Sequence, residues 1–82
     1  MGYKYEEMRP QIFTENGFDT LREITLNVQI MKSKYFDFYD MKKGVCGDSW
    51  EMLACIDYLE EKGDIQCLSK IGARQDWVYK KN

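Results

Sequence analysis

One glycine divides the most informative stretch of this chain into two segments of different periodicity. Before Gly63, apolar residues recur at Met52, Cys55, Ile56 and Leu59, the three-and-four spacing of a single helix face. After it, Ile65 to Ser69 reads as a strand. Gly63 stands where a helix ends in the left-handed conformation that glycine adopts without steric cost. The other boundary is Gly47-Asp48-Ser49, a turn in which Asp48 or Ser49 can accept from the free N–H groups of the next helix. A helix is therefore expected from about Trp50 to Lys62, running directly into a strand. Trp77 to Lys80 reads as a second strand, with Trp77 and Tyr79 on one face and Val78 on the other. Between the strands lies Lys70-Ile71-Gly72-Ala73-Arg74-Gln75, where Gly72 can supply the positive φ of a turn. The two strands are expected to form a β-hairpin.

Upstream, Thr14 is a candidate N-cap, with Glu15 well placed in the first turn of a helix. Apolar residues then follow at Phe18, Leu21, Ile24, Val28, Met31 and Tyr35, which predicts a helix over 15–33 with that face inward. Leu26 and Ile30 fall on another side. They are either ordinary exposed apolar residues or a contact surface for another chain. Tyr35 to Phe38 is aromatic and extended in character and reads as a short strand. Asp37 can then cap a short helix over 38–44, with Phe38 and Met41 sharing a face and Gly44 as its stop. Residues 1–12 read as an N-terminal arm, because Pro10 blocks a continuous helix, and residues 13–82 read as a single domain. The fold class expected is α+β, three helices plus a C-terminal β-hairpin.

Composition narrows the class. Apolar residues make up 44% and aromatics 15% of 82 residues, enough for one core and too rich for a disordered chain. The three cysteines, Cys46, Cys55 and Cys67, are odd in number and form no C-x-x-C pair, so reduced, mostly buried thiols are expected over a disulfide framework. With no histidine and no clustered cysteines, neither zinc nor any other cofactor is expected. No apolar run approaches the ~20 residues that span a bilayer, and the polar start, with Glu6 and Glu7, does not resemble a signal peptide. A cytoplasmic protein without a membrane partner is the expectation.

The order of long helix, short strand, two helices in a tight turn and a hairpin resembles the winged-helix variant of helix-turn-helix. The resemblance covers residues 36–81. The run Ser49 to Ile65 is similar to that family's recognition helix, which leads into the wing through Leu-x-x-x-Gly-x-Ile/Val, here Leu59-Glu60-Glu61-Lys62-Gly63-Asp64-Ile65. The resemblance implies that the exposed face of this helix would lie in the DNA major groove. If Met52, Ile56 and Leu59 point inward, that face carries Trp50, Ala54, Asp57 and Glu61, flanked by Leu53 and Tyr58.

These residues suit DNA poorly. Segment 48–64 holds six acids, Asp48, Glu51, Asp57, Glu60, Glu61 and Asp64, against Lys62 alone, a local charge of −5. Carboxylates repel phosphates, and base readout leans on Arg, Lys, Asn and Gln, none of which lies on the stripe. The bases sit elsewhere: Lys42, Lys43, Lys70, Arg74, Lys80 and Lys81. Segment 66–82 carries four of them against Asp76, a local charge of +3. They are either solvated lysines and an arginine or a wing that touches the DNA backbone. Trp50 either packs under the preceding turn or stands beside Leu53 and Tyr58 as an aromatic patch with an acidic rim, the composition of a protein hot spot.

Catalysis has little to work with. There is no histidine, no Gly-rich phosphate loop and no G-x-S-x-G, and adjacent Glu60 and Glu61 point in different directions on a helix. A non-enzymatic binding protein is expected. The first reading is a regulator contacting DNA mainly through a basic wing formed around Lys70 and Arg74, with Lys42, Lys43, Lys80 and Lys81. The alternative is a protein-interaction module using Trp50, Leu53, Asp57, Tyr58 and Glu61, together with Leu26 and Ile30. A homodimer through the helix at 15–33 is compatible with either.

Overall fold

The computed structural model describes residues 2–82; Met1, the first residue of the expected arm, lies outside them. The described residues form four helices and a hairpin: α1 (Tyr5–Ile12), α2 (Glu15–Ile30), α3 (Phe38–Met41), α4 (Ser49–Lys62), β1 (Ile65–Ser69) and β2 (Val78–Lys81). A 3-10 turn, Arg74–Asp76, lies between the strands. The class is α+β, with a two-stranded antiparallel sheet at the C-terminal end.

The first correction concerns the N-terminus, where a helix replaces the expected arm. Pro10 lies inside α1 yet does not prevent it. A proline removes one N–H, whose acceptor here would be the carbonyl of exposed Glu6, and the helix ends two residues later, so little is lost. Glu6 and Glu7 in the first turn and Arg9 in the last match the helix dipole. Tyr5, Met8 and Ile12 recur at helical spacing, and Ile12 is fully buried. The boundary after residue 12 therefore does not exist, and α1 belongs to the core.

Only Phe13 and Thr14 join α1 to α2. The Thr14 hydroxyl donates to the Gln11 carbonyl at 2.8 Å and accepts from the Gly17 N–H at 3.1 Å, closing one helix and capping the next. Gly17 then passes so close to the end of α1 that an added Cβ would stand 2.0 Å from the Gln11 carbonyl oxygen and 2.7 Å from that of Ile12. The inward stripe of α2 runs through Gly17, Thr20, Ile24 and Val28, while Phe18, expected inside, is 49% exposed. The helix also stops at Ile30 instead of residue 33, and Tyr35 is exposed.

Past Met31 the chain runs to Phe36, which forms an isolated antiparallel bridge with Tyr79 on β2 and is buried. Asp37 and Asp40 make a reciprocal capping box for α3. That helix ends at Met41, short of the expected residue 44. The Asn27 side-chain amide takes the Met41 and Lys43 carbonyls at 2.8 Å each, which replaces further helical bonding.

The α4 boundaries follow the sequence pattern closely. Asp48 is the N-cap, although its side chain makes no capping hydrogen bond, and Gly63 is left-handed at φ 90°. The Gly63 and Asp64 N–H groups donate to the Glu60 and Leu59 carbonyls. The hairpin pairs Ile65 with Lys81, Gln66 with Lys80 and Cys67 with Tyr79, then slips at Ser69. Tyr79 is fully buried, and Trp77 precedes β2 instead of belonging to it.

Candidate functional site

Met52, Cys55, Ile56 and Leu59 face the interior as their spacing predicts. The opposite side of α4 is also covered, which sequence reasoning did not anticipate. The Tyr3 hydroxyl donates to Asp57 at 2.6 Å, and its ring meets Trp50 edge-on with centroids 6.5 Å apart. Arg9 donates to Glu61 at 3.0 Å, and Phe13 packs edge-on against Tyr58 at 5.6 Å. Ala54 lies three or four residues from Trp50, Asp57 and Tyr58 and is fully buried, and Leu53 is nearly so. The stripe expected to face solvent is therefore the seat of the N-terminal segment and α1. Only Trp50, 43% exposed, and Glu61 keep substantial exposure.

Small residues make this possible. Gly17 lets the end of α1 lie against α2, and on α4 the Cys55 sulfur lies 4.0 Å from the Gly17 carbonyl. Burial, and secondarily Glu51, pushes the Cys55 thiol up to about 12. Its bland reading as a small apolar core residue holds. Cys67 is partly buried and its thiol is also raised, first by burial, whereas Cys46 is exposed. All three thiols are free.

Asp57 is the centre of a network that joins three parts of the chain. It accepts from Tyr3 in the N-terminal segment and from the Arg74 guanidinium in the hairpin turn, and Arg74 also donates to the Tyr79 hydroxyl. The Asp57 and Arg74 side chains are each 17% exposed. Burial is the first cause that raises both tyrosine hydroxyls above their ordinary value. For Tyr3 the hydrogen bond to Asp57 adds to it, and for Tyr79 the neighbouring Arg74 works against it. Above this network Tyr3, Trp50, Asp57, Lys70, Arg74 and Trp77 wall a cleft of about 510 Å³.

The basic residues do not converge into one exposed patch. Arg74 is committed to Asp57 and Tyr79 and stacks 4.5 Å from the Trp77 ring centre. Lys70 is exposed but lies over the same ring at 5.3 Å. Lys42, partly buried, lies against the Phe38 and Tyr39 rings. Lys81 donates to the Gln29 carbonyl at 3.2 Å. Lys43 is exposed and Lys80 partly buried.

Exposed apolar residues occur singly in the hairpin, at Leu68 and Ile71, and as a strip on α2. Phe18, Leu26 and Ile30 are 49%, 51% and 72% exposed, and Phe13, 44% exposed, extends the strip by packing edge-on against Phe18 at 6.0 Å. A groove of about 440 Å³ runs along this side, walled by Phe18, Leu21, Arg22, Thr25, Leu26 and Gln29. Leu26 and Ile30 were singled out by their spacing. Phe13 and Phe18 were not, because Phe18 fits the helical repeat equally well as a core residue.

Among the described residues, no group of three or more His, Cys, Asp or Glu side chains is placed to hold a metal ion. No helix among them is long and apolar enough to cross a membrane. No family model, curated protein or solved structure matches this chain.

Proposed function

We propose that this chain is a winged-helix-type binding domain that recognises another protein chain through the outer face of α2. The order from α2 through the Phe36 bridge, α3, α4 and the hairpin supports the winged-helix reading. The observation that carries the function is the contrast in covering. The α4 face that would enter a DNA groove is occupied by residues from Tyr3 to Phe13, whereas Phe18, Leu26 and Ile30 on α2 have no such cover. An apolar strip of this kind beside a groove is a feature of interaction surfaces.

The DNA reading has less support. Its main wing contact, Arg74, would have to leave a largely buried ion pair, and its other bases are dispersed. Exposed Trp50 remains a possible rim contact of the protein-binding reading, but Leu53, Asp57 and Tyr58 serve the fold instead.

The test uses two assays on the folded chain. A photo-reactive residue at position 26 should give protein adducts in a cell extract, while the same residue at position 70 should give none. Titration with duplex DNA should show no steep salt dependence. Salt-dependent duplex binding that weakens on replacing Lys70 and Arg74 with Ala, with no adducts at position 26, would reverse the assignment.

A further inference from the structure

We infer that the chain the α2 face recognises is a second copy of this protein, docked antiparallel. This rests on the reading of that face as a protein-binding surface and adds the identity of the occupant.

The argument comes from how charge is sorted along the helix. Its first nine residues carry Glu15, Asp19 and Glu23, all exposed. Just past its end stand Lys32 and Lys34, also exposed. Arg22, between Asp19 and Glu23, has its guanidinium held by Asp19 at 2.7 Å, which neutralises that pair, and its stem lines the groove beside Leu26. Exposed Phe18 stands toward the acidic end and Ile30 toward the basic end.

A helix laid parallel with the same charge order would set acid against acid and base against base. Laid antiparallel, it sets the Glu15 end of one copy toward Lys32 and Lys34 of the other, twice. The identical sequence satisfies itself in that orientation, which is the condition for a closed two-fold interface. Antiparallel macrodipoles act in the same direction. The 16 residues of α2 give an axis of about 24 Å, long enough for several turns of side-chain contact. The apolar residues are few, so the association should be weak and reversible and should loosen as salt screens the paired ends.

Sedimentation velocity of the full chain over the micromolar range provides the test. The expected result is a concentration-dependent shift from monomer to dimer that weakens with added salt. Leu26→Glu should leave the circular dichroism spectrum unchanged and abolish the shift. A variant carrying Glu15→Lys and Asp19→Lys should lose self-association, as should one carrying Lys32→Glu and Lys34→Glu. Mixing those two variants should restore a dimer. A chain that stays monomeric throughout, or a dimer indifferent to Leu26→Glu, overturns the inference. If it stays monomeric while position 26 still crosslinks to a different protein, the second copy is wrong and the docking face stands. If position 26 gives no protein adduct of any mass, both readings fall.

Discussion

Helices α2 and α4 pack against each other, and each carries apolar residues on the side away from that contact. On α4 the far side is Trp50, Leu53, Ala54 and Tyr58, and residues from Tyr3 to Phe13 lie over it. On α2 the far side is Phe18, Leu26 and Ile30, with no element of the described chain over it. The pattern of apolar residues is much the same in the two cases. What differs is the presence of a third helix, which the chain supplies to one side only. A helix face cannot be assigned as open from its own sequence when a neighbouring segment is free to cover it.

The contrast can be broken first at Gly17. Helix propensity alone says that Gly17→Ala should stabilise α2 by about 1 kcal/mol. The approach of the α1 carbonyls says the opposite, because the new methyl has no room and backbone must move. We expect a loss of more than about 2 kcal/mol in urea unfolding, with α1 displaced from α4.

Removing one side of the Asp57–Arg74 pair comes next. Arg74→Met or Asp57→Asn should each cost about 2 kcal/mol by leaving the other partner poorly satisfied in a largely buried place. The double variant should recover part of that loss, and the double-mutant cycle measures the coupling.

Alkali should act on the covered region too. Buried Cys55 holds its proton to about 12, while in the unfolded chain it ionises near 9. Between those values the unfolded state carries fewer protons, so stability falls as pH rises, by up to about 1.4 kcal/mol per pH unit. Tyr3 and Tyr79, also raised, add to the fall once pH exceeds their ordinary value of 10. Stability measured from pH 8 upward should therefore decline, and Cys55→Ala should reduce the earliest part of the decline, to which the raised Cys67 thiol also contributes. The smallest effect belongs to α2: Leu26→Glu and Ile30→Glu should each change monomer stability by no more than about 0.5 kcal/mol.

Much of the fold could be read from residues that carry their own boundary chemistry. Thr14, Asp37 and Gly63 each mark a helix end by a local mechanism, and the hairpin follows from the segments on either side of Gly72. The main failures arise where segments distant in sequence pack together. Pro10 masks the helical spacing of Tyr5, Met8 and Ile12, although a proline near the end of a short helix removes only one hydrogen bond. Without α1, the far side of α4 looks exposed and Phe18 looks buried, while Arg74 looks free because its partners Asp57 and Tyr79 lie on other elements. Asp57 shows this most clearly. Its partners Tyr3 and Arg74 lie 54 and 17 residues away, beyond the reach of any local pattern.

The central claim, that the far side of α4 is interior while that of α2 is open, can be measured by thiol labelling. In a Cys46→Ser background, Ala54→Cys and Leu26→Cys would be compared under native conditions by mass spectrometry. Position 26 should label at the rate of an unfolded peptide, and position 54 should label only as fast as the chain, or α1, opens. Equal, rapid labelling at both positions would contradict the account.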